Sequence, residues 1–349
     1  MPADADALAR RTLELVDIAS ESRDEAAIAA QVLDVLRGAG VPAHDAGDTC
    51  VVAGASRPRL LLAGHFDTVP AQGNRPGRIE GGRVHGLGAS DMKGALAVMV
   101  ELALRAAAAD VGYVFFGREE LPPSDSALTP LLARSPALRE AELAVVMEPT
   151  GNALQLGCLG NVNATWTFRG RAGHSARPWL ADNAIHRAAE GVSALGRVPD
   201  EVHSVHGLRY TEVVSVTRIS GGIAQNVVPD RAVAHVNYRY PPGRSPEDAE
   251  ARLRGWCEPY GGDVEIVGNA PSGPVPSPDN RWVAALSAAG AGPIEPKQAW
   301  TPVAELGLAG VEAVNFGPGD PAFAHAVDEQ VEISALARSY AVLERVACG

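Results

Sequence analysis

Short apolar runs, separated by longer helical stretches, recur along the first half of this chain. The apolar runs lie at residues 51–53, 59–63, 111–116 and 142–147. The helical patterns lie at 24–37, where Asp24 is the predicted N-cap, at 92–108 and at 126–138. Alternate residues of a strand point to opposite faces, so a strand that is apolar throughout must be covered on both faces. Such strands alternating with helices predict an α/β fold, with a mainly parallel sheet and helices on both faces.

The pattern of the chain changes after about residue 157. Three segments alternate apolar and polar side chains, as antiparallel strands with one exposed face do. They are residues 163–170, 211–220 and 231–240, and helical stretches lie at 182–195 and 246–256. The α/β pattern returns near residue 277. We therefore predict an α/β domain made of residues 1–157 and 272–349, with residues 158–271 inserted as an α+β domain with an antiparallel sheet.

Length and charge narrow the class of protein. A chain of 349 residues is long enough for two domains with a substantial core. Its formal charge of −12, with no basic block of five or six residues, argues against nucleic-acid binding. The longest apolar window, residues 95–109, is interrupted by Glu101 and Arg105, which argues against a membrane span. We expect neither a nucleic acid nor a membrane as a partner.

The first residues and the cysteines predict the compartment. The stretch MPADADALARR lacks the positive start and the apolar core of a signal peptide. The four cysteines, Cys50, Cys158, Cys257 and Cys348, are scattered and form no CxxC pair. Cysteines with such spacing are typical of free thiols in a reducing compartment. We therefore expect a cytoplasmic protein.

The first candidate site residues follow the apolar run at 59–63. His65 and Asp67, in the stretch AGHFDTVP, are two residues apart, so in an extended segment they project to the same side. They lie at the carboxyl end of a predicted strand, where open α/β sheets place their ligand crevices. A metal-binding histidine usually needs a carboxylate or carbonyl at its other ring nitrogen. The alternative interpretation is a solvated loop histidine beside a turn aspartate.

Four other segments place polar groups just past a strand or loop. Asp91 stands between a glycine-rich loop and a helix, where a simple helix cap is the alternative. Glu119 and Glu120 follow the third apolar run, where a solvated acidic turn is the alternative. Glu148 follows the fourth run, and His325 lies in a loop between the last strand and the last helix. A surface histidine is the alternative for His325.

The strand ends together supply two imidazoles and three carboxylates, with one glutamate to spare. That donor set suits two divalent, zinc-like ions about 3.5 Å apart that share a bridging carboxylate. The remaining glutamate suits the general base that a hydrolytic mechanism needs. We therefore predict a cofactor of two Zn²⁺ ions, with Co²⁺ or Mn²⁺ as alternatives.

Seven motifs resemble those of the M20 family of di-zinc amidohydrolases in order and spacing, and the resemblance as a whole runs from about residue 10 to 345. They are GHFDTVP, GLGASDMKG, GREE, MEP, GRAGHSARPWLADNAIHRA, NVVP and NFGPGDPAFAHAVDE. Within that family they are most similar to the succinyl-diaminopimelate desuccinylases. The resemblance implies a metal-dependent enzyme that hydrolyses the amide bond of an N-acyl amino acid to a carboxylate and a free amine.

The same resemblance implies two zinc sites built from the strand-end residues. His65 and Glu148 would hold one ion, and Glu120 and His325 would hold the other. Asp91 would bridge the two ions.

Supporting roles follow from the resemblance for the remaining residues of this set. Asp67 would orient His65, and Glu119 would be the general base and proton shuttle. The resemblance also implies a cis peptide bond between Asp91 and Met92.

The inserted domain of the family is a lid that dimerises, which agrees with the predicted insertion. His174, in AGHSARP, matches the lid histidine that reaches the other subunit's active site and polarises the scissile carbonyl. Asn226 and Arg239 match lid residues that hold the carboxylate end of the substrate, for which an arginine fork is suited. A cross-strand salt bridge is the alternative for Arg239. The resemblance therefore implies a homodimer formed through the lid, acting on a small N-acyl amino acid.

One segment departs from the family pattern. Many relatives carry Ser/Thr-Asp followed closely by arginine, in a loop that helps to grip the substrate. Here Thr301 is kept as a substrate-binding residue, but Pro302 stands in place of the aspartate and Glu305 in place of the arginine. The zinc chemistry is expected to survive, because no predicted ligand is affected. We expect a substrate with fewer carboxylates, or one with an amine near Glu305.

This departure leaves other activities open. Another M20 activity is one alternative: an acetyl-ornithine deacetylase-like enzyme, an aminoacylase or a dipeptidase. A repurposed, non-catalytic binding protein is the other, although all five ligand residues and Glu119 are in place.

Overall fold

The computed structural model describes residues 5–105, 109–277 and 279–348, which form two compact units. The first unit comprises Met1–Gly157, Pro274–Lys297 and Thr301–Gly349. The second unit comprises Cys158–Gly273 and Gln298–Trp300.

The short segment Gln298–Trp300 belongs to the second unit, although the predicted boundaries placed it in the other domain. The Gln298 side-chain amide exchanges two hydrogen bonds with the main chain of Thr211, at 3.1 and 3.3 Å. The Trp300 indole N–H donates to the carbonyl oxygen of Pro271 at 3.0 Å. These contacts join residues that are distant in the chain, so no local sequence pattern predicts them.

Helices and strands are labelled in chain order. The helices are α1 (Ala5–Asp17), α2 (Ala26–Gly38), α3 (Gly94–Arg105), α4 (Leu128–Arg134), α5 (Ala184–Leu195), α6 (Pro246–Cys257), α7 (Arg281–Ala288), α8 (Val303–Leu308) and α9 (Ile333–Cys348). The strands are β1 (Ala43–Gly47), β2 (Cys50–Gly54), β3 (Leu60–His65), β4 (Arg78–Glu80), β5 (Arg83–His85), β6 (Val111–Phe116), β7 (Leu143–Val146), β8 (Leu154–Leu156), β9 (Gly160–Arg169), β10 (Gly173–His174), β11 (Glu201–Val205), β12 (Leu208–Gly221), β13 (Val227–Val228), β14 (Arg231–Tyr240), β15 (Asp263–Ala270), β16 (Ile294–Pro296), β17 (Ala313–Asn315) and β18 (Gln330–Glu332).

The first unit is built on an eight-stranded sheet with the order β1-β2-β6-β3-β7-β17-β8-β16. Its four central strands, β6, β3, β7 and β17, run parallel to one another. Strands β3, β6 and β7 are buried along their whole length, so both faces of the sheet are covered. Helix α3 packs against β3 and β6, and α8 packs against β7 and β17. The predicted mainly parallel α/β sheet is confirmed.

Close packing of β3 on α3 fixes the end of the strand that leads to the first histidine. A Cβ atom added to Gly64 would lie 2.7 Å from Leu96 and 2.8 Å from Met92. A larger residue at this position would therefore have to displace the side-chain ends of Leu96 and Met92. The start of α3 is thereby held beside His65.

Antiparallel pairing characterises the second unit. Its main sheet has the order β11-β12-β14-β9-β15, and β10 pairs separately with β13. Burial alternates along β14, and helices α5 and α6 pack against the sheet. A core of residues such as Trp166, Phe168 and Tyr238 lies between them. The predicted α+β unit with an antiparallel sheet is confirmed.

Membrane-spanning helices and cysteine pairing were the other structural points raised by the composition. No helix in the described part of the chain combines the length and the apolarity that crossing a bilayer requires. Cys50, Cys158 and Cys257 are buried free thiols, and Cys348 is an exposed one.

Candidate metal centre

The predicted site residues converge at the carboxyl edge of the parallel strands. His65 is the last residue of β3, Glu119 and Glu120 follow β6, and Glu148 follows β7. Parallel neighbours end at the same edge of a sheet, which brings these side chains together. The segment after β17 adds His325.

One cluster consists of His65, Asp91 and Glu148, which are all largely buried. The Nε2 atom of His65 lies 3.2 Å from Oδ1 of Asp91 and 3.8 Å from Oε1 of Glu148. One ligand atom from each of the three residues lies within 4.8 Å of the other two. The buried Oε1 atom of Glu148 has no hydrogen-bond partner among the described residues.

Asp91, Glu120 and His325 form the adjoining cluster. The Nε2 atom of His325 lies 2.9 Å from Oε1 of Glu120 and 3.6 Å from Oδ2 of Asp91. Asp91 therefore turns one carboxylate oxygen to His65 and the other to His325. One carboxylate is shared by both clusters.

This donor set is chemically suited to two divalent ions. It offers one imidazole nitrogen and carboxylate oxygens on each side, which are ligands that zinc-like ions take. A buried carboxylate oxygen usually has a hydrogen-bond partner, and the unpartnered Oε1 atom of Glu148 is instead free to bind an ion. We find that the residues fit the group that the sequence predicts.

Asp67 contacts His65 and also supports the loop that follows β6. The Nδ1 atom of His65 lies 2.9 Å from the carbonyl oxygen of Asp67 and 3.5 Å from its carboxylate. That carboxylate accepts the main-chain N–H groups of Glu119 and Glu120 at 2.9 and 3.1 Å. It also accepts the hydroxyl of Ser22 at 2.7 Å. Asp67 thus holds the loop that carries two site residues, and sequence reasoning had not identified Ser22.

Glu119 is half-buried beside both clusters. Its carboxylate lies within 4.8 Å of ligand atoms of His65 and Glu120. Burial and the nearby charge of Glu148 raise its pKa well above the usual value for glutamate.

Lys297 is a buried cation next to the clusters that sequence reasoning also missed. It is 6% exposed, and its Nζ atom donates to the carbonyl oxygen of Pro149 at 3.2 Å. Burial and the charge of Asp91 raise the pKa of Glu148 to about 7, and the charge of Lys297 acts in the opposite direction. Lys297 therefore offsets part of the negative charge at this edge of the sheet.

A tight loop, residues 88–91, carries the shared carboxylate of Asp91. The expected cis peptide bond between Asp91 and Met92 is present. The main-chain N–H groups of Gly88, Ser90 and Asp91 donate to the carboxylate of Glu329 at 2.8, 3.0 and 2.9 Å. Glu329 is the last residue of the motif NFGPGDPAFAHAVDE, but the sequence predicted no role for it, because the loop that it supports lies about 240 residues earlier.

The segment with the unusual substrate-loop residues differs from expectation. Thr301 is buried, and its carbonyl oxygen accepts the N–H of Ala304 at 3.1 Å just before α8 begins. Glu305 is only 5% exposed, and its carboxylate accepts the hydroxyl of Thr129 at 2.5 Å. The expectation that Glu305 offers its charge to a substrate amine is wrong, because its carboxylate is committed to α4.

The three predicted lid residues lie in the second unit, where the structure brings two of them together. His174 pairs with Val227 across the β10–β13 ladder, and the residue after it donates to the Asn226 carbonyl oxygen at 3.0 Å. Arg239 lies instead on β14, opposite Asn161 of β9. Its Nε atom donates to the side chain of Asn237 at 3.0 Å.

The alternative interpretation of Arg239 as half of a cross-strand salt bridge is wrong. Its neighbours on the adjacent strands are Asn161 and Val213, neither of which carries a charge. No carboxylate in the described ranges forms an ion pair with it. The guanidinium of Arg239 therefore has no anionic partner there.

A further histidine–carboxylate cluster lies in the second unit and was not predicted. Ligand atoms of Glu201, His203 and Glu212 lie within 4.8 Å of one another. Glu212 is 3% exposed and lies 2.8 Å from both Arg244 and Arg252. These two arginines already neutralise its charge.

Proteins of known name are similar to this chain over nearly its whole length. A Mycobacterium tuberculosis protein provisionally named succinyl-diaminopimelate desuccinylase DapE is 36% identical over 342 residues, covering 96% of each chain. The succinyl-diaminopimelate desuccinylase of Corynebacterium glutamicum is 33% identical over 347 residues, covering 96% of this chain and 94% of its own. The N-acetyl-L-citrulline deacetylase of Xanthomonas campestris pv. campestris is 31% identical over 349 residues, covering 93% of each.

Solved structures share the fold at lower identity. A tripeptidase from Staphylococcus aureus superposes with a TM-score of 0.81 at 18% identity, covering 100% of this chain and 99% of its own. The Bacillus subtilis YXEP protein, described as a dinuclear metal-binding peptidase of the M20 family, gives a TM-score of 0.70 at 17% identity. That match covers 99% of this chain and 97% of the other.

The family model confirms the resemblance that the motifs indicated. The model described as Peptidase family M20/M25/M40 matches residues 61–348, a range that includes every predicted metal ligand. This chain belongs to the peptidase family M20/M25/M40.

Proposed function

We propose that this M20 enzyme is a two-metal amidohydrolase that releases a free amine from an N-acyl amino acid. The observation that carries the proposal is the pair of histidine–carboxylate clusters that share Asp91, with Glu119 beside them. The relatives named desuccinylase and deacetylase are named for removing an acyl group from an amino acid. We propose a cytoplasmic location as well, in keeping with the four free thiols.

Five residues are proposed as the metal ligands. His65 and Glu148 would hold one ion and Glu120 and His325 the other, with one oxygen of Asp91 for each. We propose Zn²⁺, with Co²⁺ or Mn²⁺ as alternatives. When bound, such ions lower the pKa of water and polarise a substrate carbonyl.

Glu119 is the residue that we propose moves the proton. Its raised pKa suits a carboxylate that accepts a proton and returns it within one reaction. A Glu119 carboxylate oxygen would take the proton from the attacking water, whose oxygen bonds to the acyl carbon. The Glu119 oxygen would then deliver that proton to the amine nitrogen as the amide bond breaks. Asp67 would keep Glu119 in place through its main-chain N–H.

The substrate that we favour is N-succinyl-diaminopimelate or a close analogue. Arg239 has no anionic partner in the described part of the chain, and its fork suits a substrate carboxylate. Asn226 and Thr301 are proposed as further substrate contacts. Acetyl-ornithine deacetylase-like, aminoacylase and dipeptidase activities are the alternatives, and the similarity to a citrulline deacetylase keeps the first of them open. A repurposed, non-catalytic binding protein is the third class.

A homodimer formed through the second unit is also proposed. Strand β11 pairs only with residues 208–212 of β12, and within the described ranges no strand pairs with the outer edge of residues 213–221. Ile219 and Ile223 near this edge are 52% and 88% exposed. An open strand edge with exposed apolar side chains is suited to pairing with a second copy.

The positions of the lid residues support the need for a second copy. Arg231 and Arg239 are eight residues apart on β14, which corresponds to about 26 Å. His174 pairs with Val227, just before the Arg231 end of this strand. A small N-acyl amino acid is much shorter than that distance. If His174 and Arg239 contact one substrate, we propose that they come from different copies of the chain.

A substrate panel tests the proposed activity. The Zn²⁺-loaded protein is assayed for free amine from N-succinyl-diaminopimelate, N-acetylornithine, N-acetylcitrulline, other N-acetyl amino acids and dipeptides. We expect the highest kcat/KM for the succinylated substrate. Highest activity on another substrate would identify one of the alternatives, whereas less than one ion per chain would favour the binding protein.

Complementation tests the proposed dimer. A Glu119→Ala chain and a His174→Ala chain are each expected to be nearly inactive. A mixed dimer has one site with both defects and one site with neither, so activity should rise toward half the parent rate per mixed dimer. No recovery after demonstrated subunit exchange would contradict the action of His174 across subunits.

A further inference from the structure

Glu329 is a nearly fully buried carboxylate that lies four residues after His325 and is 2% exposed. Its Oε2 atom accepts the main-chain N–H of Gly88 at 2.8 Å. Its Oε1 atom accepts the main-chain N–H groups of Ser90 and Asp91 at 3.0 and 2.9 Å. Both carboxylate oxygens are therefore occupied by the loop that carries the shared aspartate.

The backbone of this loop is shaped to surround an anion. Gly88 has a φ of 80°, a left-handed conformation that favours glycine. Main-chain N–H groups that converge after such a residue form a concavity for a negative charge. Glu329 fills that concavity, so we expect it to act through the loop and not as a ligand.

A second connection ties the same loop to the segment that carries His325. The Ser90 hydroxyl donates to the carbonyl oxygen of Gln330 at 2.9 Å and accepts the N–H of Asp320 at 3.1 Å. His325 lies between these two partners in the chain. The 3.6 Å separation between Asp91 Oδ2 and His325 Nε2 therefore depends on how the two segments are joined.

We infer that Glu329 is a positioning residue of the metal centre, which places Asp91 relative to His325 so that one carboxylate serves both ions. The inference rests on the two-metal centre of the proposed function. Residues that orient metal ligands typically change metal affinity 10–100-fold when they are replaced. Loss of Glu329 should act mainly on the ion between Asp91, Glu120 and His325, because both connected segments supply its ligands.

The test compares Zn²⁺ binding by the wild type and by Glu329→Gln. The substitution keeps the shape but turns one acceptor into a donor that faces an N–H group. Zn²⁺ is titrated in competition with a chromogenic chelator, at a temperature where both metal-free proteins are folded. We expect two ions per wild-type chain, and a 10–100-fold weaker second ion in the variant.

A matched control removes a carboxylate of the same charge from the same region. Glu332 lies three residues further on, is exposed, and pairs with Arg83 at 2.6 Å. Glu332→Gln should bind both ions as the wild type does. If Glu329→Gln does not fold, Glu329→Asp provides the second variant. The aspartate side chain is one methylene shorter, so its carboxylate cannot reach all three N–H groups.

Mn²⁺ provides a readout that a purely structural role would not change. Two Mn²⁺ ions that share a carboxylate give an exchange-coupled electron paramagnetic resonance spectrum, and we expect this coupling to weaken in the variant. Unchanged coupling and affinities within twofold of wild type, even with a lower unfolding temperature, would overturn the inference alone. Fewer than two ions in the wild type would overturn the proposed metal centre, and the inference with it.

Discussion

The His65–Asp91–Glu148 cluster of the first unit and the Glu201–His203–Glu212 cluster of the second unit have similar donors but different surroundings. In the first unit, His65, Asp91 and Glu148 approach one another with Lys297 as a nearby cation. In the second unit, the buried Glu212 lies against two arginines, Arg244 and Arg252. The tyrosine hydroxyl of Tyr238 also donates to Glu212, at 2.5 Å.

The charge balance of a cluster therefore distinguishes a metal site more clearly than its donor set does. Glu148 has an unpartnered oxygen and a pKa raised to about 7, so its charge is poorly compensated. Glu212 already has cationic partners on both oxygens. A divalent ion would have to displace those arginines from the buried carboxylate and break both ion pairs. We expect ions at the clusters that share Asp91 and none at the Glu201–His203–Glu212 cluster.

The largest expected effect is the difference in turnover between a substitution beside the Asp91 clusters and one in the Glu201–His203–Glu212 cluster. Glu119→Gln removes the proposed base without removing a ligand, so turnover should fall about 10²–10⁴-fold while metal content is kept. Glu201→Gln, at the other cluster, should leave turnover unchanged. The rates are measured on the best substrate of the panel, with metal content determined in parallel. A Glu119→Gln rate within a few-fold of the parent would exclude Glu119 as the base.

The next difference concerns stabilisation by metal. Zn²⁺ at about 1,000 times its dissociation constant should raise the free energy of unfolding by about 4 kcal/mol for each ion, because only the folded chain presents the site. His203→Ala should keep this gain, and Asp91→Asn should lose most of it. Denaturant unfolding with Zn²⁺ and with a chelator measures the effect. An equal loss in both variants would place an ion in the second cluster.

A smaller effect is expected from Glu212 itself. Glu212→Gln should lower the free energy of unfolding by about 3 kcal/mol, because it removes the buried carboxylate that pairs with two half-buried arginines and accepts the Tyr238 hydroxyl. Metal content should not change. Urea unfolding and metal analysis of the same samples test both statements, and a stability equal to wild type would show that the network is not stabilising.

The opposite sign is expected for Glu148 in the metal-free protein. Its folded-state pKa is raised from 4.5 to about 7, so the folded chain holds this proton more tightly than the unfolded chain does. Its contribution to stability therefore falls as the pH rises from about 4.5 to 7. Glu148→Gln removes the charge and should stabilise the metal-free protein by up to about 3 kcal/mol at pH 8, and by less at pH 5. A variant that is less stable than wild type at pH 8 would contradict this.

Sequence reasoning predicted the elements that have strong local patterns. The uninterrupted apolar runs became β3, β6 and β7, and the alternating segments became β9, β12 and β14. It was less accurate at element ends. Asp24 was the predicted cap of α2, but the helix begins at Ala26 with Glu25 at the N-cap position, and the Glu25 carboxylate accepts the N–H of Arg23 instead.

The candidate site shows the same division between local and long-range information. Each histidine or carboxylate that follows a strand could be named from its own segment, and the structure brings these residues together. The roles of Ser22, Lys297 and Glu329 could not be predicted, because their partners lie far away in the chain. The burial of Glu305 was missed for the same reason, since its partner Thr129 lies 176 residues earlier.

The bond between Glu305 and Thr129 also limits which evolutionary paths are open to this enzyme. An arginine at position 305 alone, as one group of relatives has, would bury a cation against a hydroxyl that now donates to a carboxylate. The intermediate with only that change should be destabilised, so a second change in α4 would have to come first. The Glu305–Thr129 bond therefore couples α8 to α4, so that an arginine at position 305 would require a compensating change at Thr129.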